Sequence, residues 1–418
     1  MENLKNKSCC VYDFGTFMGL AMKLSESFGK VYYHSPWQSS FPKSNFMMIG
    51  EGVPGVERVN NFWDIVPECD LFVFPDVHCG DVAEHLSSLG KQVWGSRHGE
   101  ELELFRDKSK EYCKSLGINI GNYEVIIGIT ALRAYLKSHK NQWIKFNITR
   151  GDMETFHAEN YKIVEPRLDY LEWSLGAKKN ITKFIVEDAI EDAIETGYDG
   201  YCIDGQYPSK GIYGIEIKDK GYIAIAKDYK DIPEEITDVN KKLSDTLKKY
   251  SYRNFFSTEL RVTQDRKGYL IDPCMRAGSP PSEIYTNMFE NLAEIIWEGS
   301  KGNCVDPVIK NKYGVELLIH SNWAMENWQA ITFPEEYKDC YKFRNLCRID
   351  NKYYSVPSII PVPEIGAIVA TDDTLEGAID KLKFLSEQIE SYDIKTFPDV
   401  IETAMDGINK LKAWGLDF

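Results

Sequence analysis

Residues 255–263 and 268–274 are β-prone runs that flank the polar stretch 264–267, and Gly268 opens the second run, so the segment reads as a hairpin. A turn centred between Asp265 and Arg266 sets Glu259 opposite Asp272 on one face. Directly opposed Cβ atoms lie about 4.5–5.5 Å apart, and like charges there repel. A divalent cation would relieve that repulsion, because Mg²⁺ takes hard carboxylate oxygens and leaves positions open for phosphate oxygens. Arg261 on the same face and Arg276 just past the strand are the other neutralisers, so a solvated face of ion pairs stays open as a reading.

Cations recur elsewhere. Lys108 sits in a helical stretch, Lys145 inside the apolar run 143–146, and Arg150 in the loop that follows. An ammonium inside an apolar strand needs a partner, since burying it alone is costly. A bound phosphate would serve; an edge strand that uses the charge to discourage pairing is the alternative. The apolar run 183–190 ends in Glu187 and Asp188, with Glu195 beyond it. Such an end can offer a hinge to an adenine and a carboxylate to a ribose, or it is a strand running into an acidic linker.

The elements that must carry these residues alternate in the first hundred positions. Strands are expected at 9–12, 31–33, 71–75 and 92–95 and a helix at 15–28, the pattern of a parallel sheet with helices on its faces. A helical stretch covers 100–116, antiparallel strands 211–227 and 255–274, and a helix 289–297 with Phe289, Leu292, Ala293 and Ile296 on one face. A third unit opens near 302–307. It holds strands at 315–319, 353–356 and 367–370, and two helices with apolar stripes at 375–385 and 401–411.

At 418 residues, 43% of them hydrophobic, the chain has material for two or three packed domains and is not disordered. The net charge of −15 repels phosphate backbones and anionic lipids, so bulk nucleic-acid or membrane-surface binding is not expected. No apolar run reaches the roughly 18 residues of a membrane span. The N-terminus reads as a first strand and not as a signal peptide. Ten cysteines contain no Cys-x-x-Cys and suit a reducing compartment, so the expectation is a cytoplasmic protein.

In their order the three constellations resemble the ATP-grasp superfamily, most closely its phosphoribosylamine–glycine ligase branch. The family pattern acid-x-Asn-x-Arg-x-Gly-x-Pro is matched by Asp272-Pro273-Cys274-Met275-Arg276-Ala277-Gly278-Ser279-Pro280 in all named places but one. The resemblance implies an α/β (α+β) architecture. Its parts are an N-terminal Rossmann-like parallel-sheet domain (1–98), a nucleotide-binding domain (99–305, lid about 120–185) and a small C-terminal α+β domain (306–418).

The resemblance also implies ATP and Mg²⁺, with Mn²⁺ as the other candidate ion, and an ADP-forming carboxylate–amine ligase acting through an acyl phosphate on small-molecule acid and amine substrates. It carries Glu259 and Asp272 to the metal, Arg276 to the γ-phosphate or acyl phosphate, and Arg261 to the same charge cluster. Lys108 and Lys145 go to the α/β-phosphates with Arg150 beside them, Glu187 to the adenine hinge and Glu195 to the ribose. Cys274 stands where the family has a metal-binding asparagine, and a thiol is a poor Mg²⁺ ligand. The phosphate loop is shortened to 147–152, and the first domain lacks the family's Gly-rich ribose-phosphate turn. A catalytically lapsed ATP-binding protein and phosphoribosylamine–glycine ligase itself are the alternatives.

Overall fold

A computed structural model describes residues 3–36, 48–147, 155–357 and 362–418. Its first layer is a five-stranded parallel sheet made of β1 (Ser8–Tyr12), β2 (Lys30–His34), β3 (Glu57–Arg58), β4 (Leu71–Val73) and β5 (Gln92–Trp94) in the order β3-β2-β1-β4-β5. Cys9, Cys10, Val11, Leu71, Phe72, Val73, Val93 and Trp94 are all buried, as continuous apolar runs must be when helices cover both faces. Helix α1 (Met18–Ser25) follows β1, and its start is held by Asp13, which accepts from the backbone N–H groups of Gly15 and Phe17. The chain runs outward on one side of β1 and then returns to the other. The switch point therefore lies between the ends of β1 and β4, where Asp13 and Asp76 sit.

Helices α2 (Phe62–Ile65) and α3 (Gly80–Ser88) belong to this layer. The helix expected over 100–116 is broken at Phe105 into α4 (Glu101–Leu104) and α5 (Arg106–Ser115), so Arg106 stands at the start of a fresh helix.

A four-stranded antiparallel sheet comes next, with β6 (Tyr123–Ile127), β7 (Gln142–Phe146), β8 (Thr155–Ala158) and β9 (Lys183–Asp188) in the order β6-β9-β7-β8. Helix α6 (Ile129–Ser138) buries Ile129, Leu132 and Leu136 against it, and α7 (Tyr161–Leu175) buries Val164 and Leu168. These residues form a core of their own, separate from the main one. In this sheet β7 is flanked on both sides, so Lys145 is not on an edge strand.

The largest sheet has eight strands. It comprises β10 (Ala193–Ile203), β11 (Lys210–Ile217), β12 (Gly221–Asp228), β13 (Arg253–Thr263), β14 (Gly268–Cys274), β15 (Tyr313–His320), β17 (Tyr341–Phe343) and β20 (Glu364–Asp372), in the order β14-β13-β10-β11-β12-β15-β20-β17. A small sheet is formed by β16 (Gln329–Ile331), β18 (Leu346–Ile349) and β19 (Lys352–Ser355). Of the strands expected after residue 305, those at 315–319 and 367–370 extend the same sheet that carries the hairpin, whereas that at 353–356 belongs to the small sheet as β19; one hydrophobic core runs through both.

Helix α8 (Glu234–Lys249) packs Ile236, Val239, Leu243 and Leu247 against β10 and β13. The helix expected at 289–297 is α10 (Leu292–Ser300). Phe289 belongs to the connection after α9 (Ser282–Met288), although all four residues of the expected stripe are buried. Helices α11 (Leu375–Ser386) and α12 (Val400–Ala413) close the chain with their stripes inward. No helix among the described residues is long and apolar enough to cross a membrane.

Candidate functional site

Glu259 pairs directly with Asp272 in the β13–β14 ladder. The register nearer the turn is one residue away from the expected one, with Leu260 opposite Leu270 and Val262 opposite Gly268. A bulge at Ile271 absorbs the difference and brings the two acids back into opposition. Bulges bend a strand and re-aim the side chains that follow; here Lys110 Nζ lies 3.5 Å from the Ile271 carbonyl oxygen. Across β13 on the other side stands Gly197 of β10, where a Cβ would lie 1.8 Å from the Thr258 carbonyl oxygen, so only glycine fits.

The carboxylates open into a cavity between the four-stranded and eight-stranded sheets. Its walls carry Glu103, Arg106, Trp143, Lys145, Glu187, Glu195, Lys218, Glu259, Arg261, Asp272, Cys274 and Arg276. The buried Lys145 ammonium donates to Asp272 at 2.7 Å and lies 3.4 Å from Glu187. Its partner is therefore a carboxylate supplied by the fold. Arg106 Nε is 3.9 Å from Asp272, while its Nη1 donates to the Phe146 carbonyl at 2.9 Å and so ties α5 to the four-stranded sheet.

Burial would raise the Asp272 carboxyl, but Lys145, Arg106 and Lys110 overcome it and hold the group well below the usual carboxylate range. The cation that acts most on Glu259 is Lys218. Burial lifts the Glu259 carboxyl to about 7, against that pull and with the added push of Glu195 and Asp272.

Other expected residues fall as follows. Glu187 is buried and bound to Lys110 at 3.0 Å, so its carboxylate holds two lysines together. Glu195 faces Arg261 across the ladder at 3.4 Å. Arg276 reaches the cavity, with Nε 2.8 Å from Glu103. Cys274 is 6% exposed, and burial pushes its thiol up, so it stays protonated beside the acids. Arg150 lies outside the described residues, as does most of the shortened loop.

One expectation is corrected. Lys108 is exposed, with its ammonium 5.0 Å from the Phe105 ring centroid, and it does not line the cavity. The cations that α5 buries are Arg106 and Lys110, which are four residues apart on one helical face, whereas position 108 is two residues round. That spacing was readable in the sequence. Glu103, Lys218 and Asp199 were also missed. Glu103 alone had a sequence signal, as a carboxylate within the apolar pattern of the 100–116 helix.

No group of three or more His, Cys, Asp or Glu side chains among the described residues is arranged to hold a metal ion by itself. Glu259 and Asp272 fit the smaller demand of Mg²⁺ in nucleotide sites, one or two carboxylates with phosphate and water completing the shell. A second cavity shares Glu195, Glu259, Cys274 and Arg276 with the first and continues past Asp199, Glu216, Tyr222 and Ser279.

The chain has the ATP-grasp fold, as comparison with solved structures shows. It superposes on a phosphoribosylamine–glycine ligase from Thermotoga maritima with a TM-score of 0.67 at 16% identity, over 94% of this chain and 99% of that one. The biotin carboxylase domain of a Hydrogenobacter thermophilus 2-oxoglutarate carboxylase, solved with MgADP and bicarbonate, gives 0.65 at 12% identity over 99% of each chain. An L-amino acid ligase from Bacillus licheniformis gives 0.61 at 16% identity, over 93% of this chain and 99% of that one. No family model matches the sequence, and no curated protein does.

Proposed function

We propose that the protein is an ATP-dependent carboxylate–amine ligase of the ADP-forming type. The observation that carries this reading is the opposed Glu259–Asp272 pair in a cavity whose walls also present Arg106, Lys145, Lys218, Arg261 and Arg276 beneath a separately packed lid. Phosphoryl transfer needs positioned positive charge far more than covalent chemistry, and five cations reach this cavity, set among six carboxylates. The structural neighbours support the reading, since they include ligases and one of them was solved with MgADP.

In this reading Glu259 and Asp272 hold Mg²⁺, which would neutralise phosphate oxygens. Lys145 and Arg106 bind the phosphate chain, with Lys145 exchanging part of its contact with Asp272 for the nucleotide. Arg276, positioned by Glu103, faces the transferred phosphoryl group. Glu187 holds Lys110 and Lys145 in place, and Glu195 with Arg261 closes the ribose end. The lid excludes water from the acyl phosphate.

A second reading, an ATP-binding protein that no longer turns over, is favoured by Cys274 and by the direct Lys145–Asp272 bond. Calorimetry with Mg²⁺ and ATP, followed by ADP release with a panel of acids and amines, separates them. Binding with turnover supports the ligase, and binding without turnover supports the lapsed form. Cys274→Asn should keep or raise Mg²⁺-dependent turnover, and a total loss in a folded variant would overturn the assignment of that position.

A further inference from the structure

At the end of β11 away from the main cavity, a groove reverses the charge balance of the chain. Acids outnumber Lys and Arg by 64 to 49 overall, yet Lys210, Lys227, Lys310 and Lys312 line this groove against Asp228 and Asp373. Three stretches of chain build it: the start of β11, the end of β12 and the segment 309–312 that leads into β15. Lys210 opposes Asp228 in the β11–β12 ladder, and the Lys312 carbonyl accepts from the Ala226 N–H at 2.8 Å. Strand pairing thus brings together lysines that are far apart in sequence.

Both acids of the groove are engaged elsewhere. Asp373 accepts from the Lys312 N–H at 3.3 Å and from Asn311 Nδ2 at 3.4 Å, and Asp228 lies 3.9 Å from Lys230, which is outside the groove. None of the four lysines forms a salt bridge among the described residues. Two of them are nevertheless held in place. The Lys227 ammonium is 5.3 Å from the Tyr213 ring centroid and donates to the Asp417 carbonyl, and the Lys312 ammonium is 5.3 Å from the Tyr313 centroid. A ring face fixes a cation without neutralising it. Burial lowers the Lys227 ammonium, and Lys312 and Lys412 lower it further, against Asp417 and Asp231. The cations therefore feel one another, and a concave wall of one sign focuses its field on whatever fills it.

We infer that this groove binds a small polyanion with adjacent phosphate groups. Linked phosphates bring several negative charges and many acceptor oxygens in one compact group, and each ammonium offers three donors to them. The site is separate from the main cavity and shares no residue with it. Strand β11 lies between the two: it starts at Lys210 and its eight residues end beside Lys218 of the main cavity, a span of about 25 Å. An anion in the groove is thus out of reach of the reacting groups, and the inference does not depend on the ligase reading.

The test is calorimetry of the full chain with inorganic tripolyphosphate, without Mg²⁺ and at roughly 0.15 M salt. The probe should bind at a saturable site and raise the thermal midpoint. Lys310→Ala together with Lys312→Ala should weaken it at least tenfold; both side chains are exposed, so folding is retained. Lys248→Ala together with Lys249→Ala, exposed on α8, removes the same charge elsewhere and should change the affinity less than about twofold, as should Arg106→Ala in the main cavity. The absence of saturable binding would overturn the inference. So would an equal loss in both lysine pairs, which would mean unspecific charge, or a tenfold loss in Arg106→Ala, which would put the anion in the main cavity. Hexaglutamate bound in preference to tripolyphosphate would also overturn it, in favour of a docking site for an acidic protein segment.

Discussion

Replacing Lys145 with methionine removes the ammonium that joins β7 to the hairpin and leaves most of the side-chain volume. The lysine side chain is 4% exposed, 2.7 Å from Asp272 and 3.4 Å from Glu187. Breaking a buried ion pair by removing one partner costs about 3–5 kcal/mol. Two features place this case at the low end, near 3 kcal/mol: the Asp272 side chain is 24% exposed, and Glu187 keeps Lys110 at 3.0 Å.

The pH dependence has a definite sign. In the wild type the Asp272 carboxyl is depressed, so its contribution is present above the unfolded value near 3.9 and is lost as pH falls through the folded value. In the variant the burial effect loses its strongest opponent and the carboxyl rises. That upward move makes acidification cost the variant less than the wild type, so the gap between the two proteins, compared at about pH 7.5 and about pH 5.5, narrows on acidification. Urea unfolding at both pH values measures the gap, and hydrogen exchange across β7 and β14 assigns it to this contact. A difference below about 1 kcal/mol at both pH values would refute the reasoning, because it would mean that solvent already screens the pair.

Three other outcomes are expected. Arg106→Ala should weaken Mg²⁺–ATP binding at least tenfold in calorimetry, whereas Lys108→Ala should change it less than about twofold, since only Arg106 lines the cavity. Gly99→Ala should cost about 1–3 kcal/mol in urea unfolding. Its Cβ would meet Tyr252 Cδ2 at 2.5 Å, and that ring is fully buried with its hydroxyl bonded to the Phe255 carbonyl. Burial raises the Glu100 carboxyl to about 7 despite the backbone N–H groups of Gly80 and Cys79, so its contribution is present at low pH and lost as pH rises through that value. Glu100→Gln should flatten that part of a plot of thermal midpoint against pH.

Much of the molecule was legible one segment at a time. Apolar runs marked the buried parallel strands, and three- and four-residue stripes marked α11 and α12, because burial of one face is a local property of a repeating backbone. The hairpin was legible too, and with it the opposition of Glu259 and Asp272, although a bulge at Ile271 and not the turn alone produces that pairing. The face of α5 was legible as well: Arg106 and Lys110, four residues apart, lie on its buried side, and Lys108 does not.

Tertiary structure alone decided which charge meets which. Lys145 and Asp272 are 127 positions apart, and Tyr222, Glu216 and Glu316 share a face only because β12 pairs with both β11 and β15. Sequence pattern reports the side of its own element on which a residue lies. The distance between two ionisable groups on different elements depends on how sheets order and stack, and at these sites that distance sets the chemistry.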